Sequence, residues 1–461
     1  MSARLLLRMA PLAASAWMAG CSMMPTYERP LAPVAAAFPY AVSVATPAAA
    51  DLDWQTFFPD PGLRRLIETA LRNNRDMRIA VLNIEQARAQ YDIRSADRFP
   101  TVNAAAAGSR APASGGGTSK SYTVGLSVTA WEIDFFGRVA SLSEAALAQY
   151  LGTEEGRKAA QISLVASVAN TWLSLVADEE FLALTRQTLT TREESLRLTR
   201  LRFENGAASE LDSRQAQSLH ESARVALAQQ QRQRALDINA LALLLGAPVP
   251  ADLAVATTTA SLALADLPAG TPSDVLVRRP DVRQAEQQLV AANANIGAAR
   301  AAFFPRISLT AGIGSASSEL SGLFKNGSWG FTVAPQLLLP IFDSGRNQAG
   351  LRSANVSRDI ALAQYEKAIQ SAFREVADAL AGRATLGDQL QAQANVVEAE
   401  SVRFRLSELR YNNGVSSYLD LLDAQRSLFA ARQALIQTRL AQLQNQVLLY
   451  RALGGGWTDR P

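Results

Sequence analysis

The chain has one cysteine and one histidine in 461 residues. A single thiol forms no intrachain disulfide, and the pair supplies neither a zinc cluster nor a Cys–His nucleophile. His220 falls in the middle of a helical stretch, and glycines such as Gly108 and Gly116 fall in strand and loop contexts. None sits between a strand and a helix, where a phosphate loop needs it. These absences argue against an enzyme. Excess charge is missing too. Lys and Arg total 45 against 42 Asp and Glu, and residues 1–20 hold two Arg and no acid, so their removal lowers the formal charge from +3 to +1. Without a basic stripe, nucleic acid is excluded as a partner. No stretch beyond the first twenty residues runs to 18 uninterrupted apolar positions. Leu241–Val249 comes nearest and is broken by Gly246 and Pro248, so no membrane-spanning helix is expected. Aromatics are only 7% of the chain while apolar residues reach 48%, a balance suited to long, closely packed helices.

What is present begins with a secretory leader. Arg4 and Arg8 precede a short apolar run, which ends in Met18-Ala19-Gly20-Cys21. That ending resembles the bacterial lipoprotein signal box. It implies cleavage after residue 20 and a diacylglyceryl and N-acyl lipid on Cys21, with no other cofactor. Ser22 after the cysteine goes, in such lipoproteins, with the outer membrane.

The rest of the chain is written twice. Residues 201–224, LRFENGAASELDSRQAQSLHESAR, and 409–432, LRYNNGVSSYLDLLDAQRSLFAAR, share 11 of 24 positions. Residues 75–107 recur at 280–312, and Thr123-Val124 and Asp134 recur as Thr332-Val333 and Asp343, each Asp soon followed by Gly-Arg. Such a repeat has to be found before a fold is assigned. The organisation expected is a leader, 1–20; an irregular lead, 21–59; a first repeat, 60–250; a linker, 251–271; a second repeat, 272–453; and a tail, 454–461.

Each repeat reads as helix, β-hairpin and helical hairpin. Asp60-Pro61 opens a helix running to about Arg98, and Thr271-Pro272-Ser273-Asp274 opens its twin, running to about Ala302. Phe99-Pro100 and Phe304-Pro305 end them. Hairpins over 99–134 and 304–343 follow, with Tyr122, Val124, Leu126, Val128 and Ala130 on one face opposite Thr123, Gly125, Ser127 and Thr129. Runs of about 9–11 alternating residues fit membrane-spanning strands; a soluble sandwich is the alternative, and no second sheet is available to complete one. Two proline-free stretches, 139–203 and 346–411, then predict helices of about 100 Å at 1.5 Å per residue. They turn at tips 205–210 and 413–418. Asn205-Gly206 and Asn413-Gly414 provide the left-handed stop, and Ser209/Asp212 and Ser417/Asp420 start the return helices. Four strands cannot close a barrel, and a membrane sheet tolerates no open edge, so several copies are required. Two, three or four copies all satisfy the pattern.

Several motifs carry a specific resemblance. They are Trp54-Gln-Thr-Phe-Phe58, Asp60-Pro61, Leu71-x-x-Asn74-x-Asp76, Arg278-Arg279-Pro280-Asp281, Phe304-Pro305, and Tyr411-x-x-Gly414-x-x-x-Tyr418-Leu419-Asp420-x-x-Asp423-Ala424-Gln425. With them the chain resembles, over nearly everything after residue 50, the TolC/OprM-like outer-membrane channels of tripartite efflux systems, in their lipoprotein branch. The resemblance implies a mainly helical homotrimer with a twelve-stranded transmembrane β-barrel continuous with a long α-helical periplasmic barrel. The duct is passive, engaged by a periplasmic adaptor and an inner-membrane RND-type pump. Type I protein secretion, or a periplasmic coiled-coil adaptor, are the competing readings. By the same resemblance Leu419 and Asp423 match gate positions, Tyr411 a tip latch and Asp420 a further pore-facing acid. Asn205, Gly206, Asn413 and Gly414 lie at adaptor-facing tips. A latch arginine of the family falls at Ser416. Asp420 also reads as a capping acid and Leu419 as hairpin core. Six carboxylates, from Asp420 and Asp423 in three copies, would repel one another unless cations offset them.

Overall fold

The computed structural model describes residues 22–35, 37–40, 52–112, 117–252, 258–265, 267 and 278–457. The leader, Cys21 and the Thr271–Asp274 helix start lie outside the described residues. The helices are α1 (Trp54–Phe57), α2 (Pro61–Asn73), α3 (Arg75–Ala96), α4 (Arg138–Glu204), α5 (Glu210–Leu245), α6 (Pro280–Ala301), α7 (Arg346–Asn412) and α8 (Tyr418–Ala452). The strands are β1 (Val102–Pro112), β2 (Thr118–Ile133), β3 (Arg306–Ser317) and β4 (Trp329–Leu338). The chain divides into two compact units.

One unit comprises Leu82–Glu154 and Gln284–Lys367 with the N-terminal lead up to Leu31. Its sheet is antiparallel in the order β1-β2-β3-β4. The register aligns Ala104, Leu126, Ile313 and Phe331 in one row and Val102, Val128, Ala311 and Val333 in the next on that face. Leu126, Ile313, Phe331, Val333 and Leu337 are all exposed. The opposite face carries Asn103, Thr123, Ser127, Gly312 and Thr332. Gly125 and Gly314 face each other so closely that a Cβ on either would lie 2.7 Å from the other's Cα, a close backbone approach that only glycine allows.

The alternation expected for β2 breaks at Ala130. A bulge between Val128 and Trp131 puts Ala130 at φ 51° and lets Thr310 Oγ1 accept from its N–H at 3.1 Å. The extra residue shifts the phase, so Trp131 and Ile133, not Ala130, continue the apolar face opposite Leu309 and Ile307. Below the sheet Glu132 accepts from Arg138 at 2.6 and 2.8 Å and pairs with Arg306 at 2.6 Å. The repeated Asp-Gly-Arg elements cap the long helices. Asp134 accepts from Ala140 N, and Asp343 from the N–H groups of Gly345 and Asn347, which hold the Asp343 carboxyl below its ordinary pKa. Small side chains let α4 and α6 approach, Ala145 and Ala148 packing on Ala291 and Ala294. The irregular lead is tied down here, Arg29 gripping Glu286 through both carboxylate oxygens at 2.6 and 2.8 Å and Asn293 donating to the Pro25 carbonyl.

The other unit holds Ala32–Val81, Glu155–Arg283 and Ala368–Pro461. Its core gathers Phe57, Phe58, Leu66, Ile67, Val168, Trp172, Val176, Leu241, Val376, Val447 and Tyr450. Phe57 stacks on Tyr450 at 4.1 Å, and the Tyr450 hydroxyl donates to the Leu52 carbonyl at 2.7 Å. Losing a fully buried ring such as Trp172 would cost about 3–5 kcal/mol. α4 does contain an 18-residue window long and apolar enough to cross a membrane. Its apolar positions Val165, Val168, Ala169, Trp172 and Val176 are buried among neighbouring helices instead.

The first helix of each repeat also differs from expectation. Asn74 separates α2 from α3 with extended backbone, ψ 135°. Its buried carboxamide accepts from Met77 N–H at 3.0 Å and donates to the Leu244 carbonyl at 2.9 Å. A tertiary hydrogen bond thus holds the break that the Asn74 motif marks. Its twin one repeat later is Arg279, also just before a helix. It pairs with Asp281 at 2.6 Å and Glu375 at 2.9 Å and donates to the Ala452 carbonyl.

Candidate gate at the hairpin tips

The two tips are built alike. Gly206 and Gly414 both take φ 72°. At the first tip the Gly206 and Ala207 N–H groups donate to the Phe203 and Arg202 carbonyls. At the second, Gly414 and Val415 donate to Tyr411 and Arg410. This double bond satisfies the last carbonyls of each long helix. The Asn205 and Asn413 side chains add a bond of 2.7 Å each to Leu201 and Leu409. Ser209 with Asp212 and Ser417 with Asp420 close complete capping boxes. Replacing either serine with Ala costs about 1 kcal/mol.

That geometry separates the candidate residues. Asp420 Oδ2 accepts from the Ser417 N–H at 3.2 Å and hydroxyl at 2.9 Å, as Asp212 does from Ser209. Its place is that of a cap. Leu419 is 54% exposed, whereas Tyr418, Leu421 and Leu422 pack with Ala216 as the local core. Leu419 therefore does not fill the hairpin core. Asp423 stands past the cap, half exposed, and pairs with Arg403 of α7 and, at 3.8 Å, with Arg426. Arg403 also binds Glu400 at 3.1 Å.

The cations that such a carboxylate ring needs stand beside Asp423 as Arg403 and Arg426. Each Asp423 already faces arginine in its own chain, and each Asp420 is engaged by its cap. Ser416, where the resembling channels have an arginine, leaves its hydroxyl buried and unpartnered. The arginine that meets Tyr411 comes from the first hairpin instead. Arg202 Nη1 donates to the Tyr411 hydroxyl at 2.9 Å, and its guanidinium lies 5.3 Å from the ring centroid. Tyr418 shares a 2.8 Å hydrogen bond with Ser195, also of the first hairpin, and its ring lies 5.3 Å from that of Tyr411. Arg202, Ser195 and Arg403 were missed from the sequence. The only available signal was that Arg202 and Arg410 are repeat twins.

Farther along α4, Asp178 is buried. One oxygen accepts from Gln230 at 2.8 Å and the other has no hydrogen-bond partner. Desolvation, then the neighbouring charge of Asp237, push its carboxyl up to about 7. His220 is mostly covered and sits 3.3 Å from Glu221, so it is less solvated than its mid-helix position suggests. Among the described residues no group of acids, His or Cys could hold a metal ion.

Two helical hairpins with identically built tips, and a sheet apolar on one face and small and polar on the other, define the protomer of an outer-membrane channel. The chain belongs to the outer membrane efflux protein family, whose model matches residues 66–247 and 271–455. It is 50% identical over 453 residues to the toluene efflux pump outer membrane protein TtgC of Pseudomonas putida, covering 96% of this chain and 94% of that one. It is 48% identical to the outer membrane protein OprJ of Pseudomonas aeruginosa, covering 95% and 94%. Among solved structures, the open state of the Neisseria gonorrhoeae MtrE outer membrane channel superposes with a TM-score of 0.88 at 43% identity, covering 95% of this chain and 99% of that one. The protein is thus an efflux channel of the outer membrane, and its family and relatives are transport channels rather than enzymes.

Proposed function

We propose that three copies close one twelve-stranded barrel and form a passive exit duct for small amphiphilic or apolar molecules. A periplasmic adaptor at the tips and an inner-membrane RND-type pump complete the system. The observation that carries this reading is the sheet. Among the described residues β1 and β4 each have one neighbouring strand, and the face bearing Phe331, Val333 and Leu337 is exposed. In lipid every open edge leaves unsatisfied N–H and C=O groups, each costing several kcal/mol. Closure by copies removes both edges at once. Eight strands would give an interior filled by side chains, whereas twelve leave a lumen, and the small polar face of Ser, Thr, Gly and Asn suits its wall.

Relatives named for toluene, solvent and antibiotic efflux support a small-molecule cargo. Cys21, with its lipid, would anchor the lead beside the barrel, and Leu419, Asp423 and Tyr411 would form the constriction at the inner hairpin. Asn205, Gly206, Asn413 and Gly414 would face the adaptor. Chemical cross-linking of detergent-extracted protein tests the assembly through the mass of the largest species. A trimer is expected. A monodisperse, water-soluble monomer without detergent would refute the reading.

A further inference from the structure

Arg192 is a charged side chain that neither the barrel nor the gate uses. It lies on α4, is 6% exposed, and makes no ion pair among the described residues. Its Nη1 donates to the Leu219 carbonyl at 3.1 Å, and its guanidinium lies 5.4 Å from the Phe429 ring centroid. Nε is buried with no acceptor. Burial and the like charge of Arg426 push its pKa down, yet a guanidinium stays protonated. A buried cation without a counter-charge is destabilising, and an anion beside it would offset that cost.

Arg192 borders a cavity of about 210 Å³ walled by α4, α7 and α8. No acid lines it. Arg432 of α8, half-buried, lines it as well and makes no ion pair among the described residues. The hydroxyls of Thr188 and Thr191 donate to their own helix, at the Leu184 and Gln187 carbonyls. Gln425 lines the cavity too, and its side-chain oxygen is buried without a donor. Two guanidiniums, with no carboxylate among the lining residues, form a donor set for an anion.

We propose that this cavity binds a small inorganic anion of halide or nitrate size, held between Arg192 of the first helical hairpin and Arg432 of the second. The bound anion clamps α4 to α8. The test uses purified full-length protein in detergent. Thermal midpoints are followed at constant ionic strength while sodium chloride, bromide or nitrate replaces sodium gluconate, with acetate as a further arm. Crystals grown in bromide are examined for anomalous scattering. A saturable rise with halide and nitrate, and a bromide peak in the cavity, are expected. R192Q should weaken the apparent affinity by about tenfold or more, the loss of a charge-assisted hydrogen bond. R432Q, at a half-buried site, should weaken it too and keeps the test open if R192Q does not fold. An empty cavity in bromide, or a rise undiminished in both variants, would overturn the proposal. A rise with acetate alone would overturn the inorganic assignment.

Discussion

Replacing Arg202 with Ala should open the channel. Arg202 contributes one hydrogen bond to Tyr411 at 2.9 Å and one guanidinium–ring contact at 5.3 Å. At this exposed position the ring contact is worth about 0.5–1 kcal/mol and the hydrogen bond about 0.5–1.5 kcal/mol. Together they hold the first hairpin to the second with about 1–2.5 kcal/mol per chain, and the hairpins cannot part at this point without breaking both. For three chains acting together the closed tips lose about 3–7.5 kcal/mol, a shift in the open-to-closed ratio between about a hundredfold and a few hundred-thousandfold. Single-channel recording in planar bilayers reads that shift as longer open times and larger mean conductance. Tyr411→Phe, which keeps the ring and loses the hydroxyl, should give roughly half the energetic effect. The double variant should add little to R202A, because the two residues serve one contact. If R202A and Y411F both conduct like the wild type, the contact does not restrain the tips.

Asp423→Ala frees Arg403 at the second hairpin and should raise conductance while lowering cation preference, with Leu419→Ala adding to the conductance. Unchanged conductance and ion selectivity in the double variant would remove both residues from the gate. Cys21→Ser should abolish the lipid by mass spectrometry while detergent-resistant trimers persist, since the sheet itself spans the bilayer. A variant found wholly soluble in the periplasm would place the strands outside the membrane. Asp178→Asn should flatten the pH dependence of stability. The native carboxyl titrates near 7 against an ordinary value of 3.8. Stability is therefore complete below the ordinary value and lost as pH rises from it through 7, by about 4 kcal/mol in all. Midpoints that fall equally in wild type and D178N between pH 5 and 8 would contradict this.

The readable part of this fold is the part encoded locally. Proline-free runs, Asn-Gly stops and Ser-x-x-Asp starts each act within a turn or two, and α4, α5, α7 and α8 begin and end within a residue or so of where those signals fall. The strands were legible as alternation, because lipid and lumen sort side chains with a period of two. What escaped depends on distant partners. The break at Asn74 is held by a carbonyl 170 residues away. The bulge at Ala130 is a one-residue slip set by pairing with β3, and the apolar window of α4 could be assigned to the core only once its neighbours were placed. Arg403 and Arg202 looked like any other helix-surface arginines. Their roles arise because α7 and α4 bring them to Asp423 and Tyr411.

The duplication also explains why the latch runs in one direction. Across the offset between repeats, Arg202 corresponds to Arg410, Tyr411 to Phe203, Tyr418 to Glu210, Asp423 to Gln215 and Ser195 to Arg403. The backbone-setting residues are kept, so both tips turn identically. The contact-making residues have diverged. Arg202 finds a hydroxyl on Tyr411, but the reciprocal pair, Arg410 toward Phe203, would have a ring and no acceptor. Ser195 meets Tyr418, whereas its twin Arg403 meets an acid on its own hairpin. A perfect repeat would make both hairpins equally suited to lining a constriction. With one tip supplying the tyrosines and the acid, and the other the arginine and serine that hold those tyrosines, the second hairpin is held by the first. Swapping Phe203 for Tyr and Tyr411 for Phe together would move the hydroxyl to the other tip and should not restore the wild-type closed state.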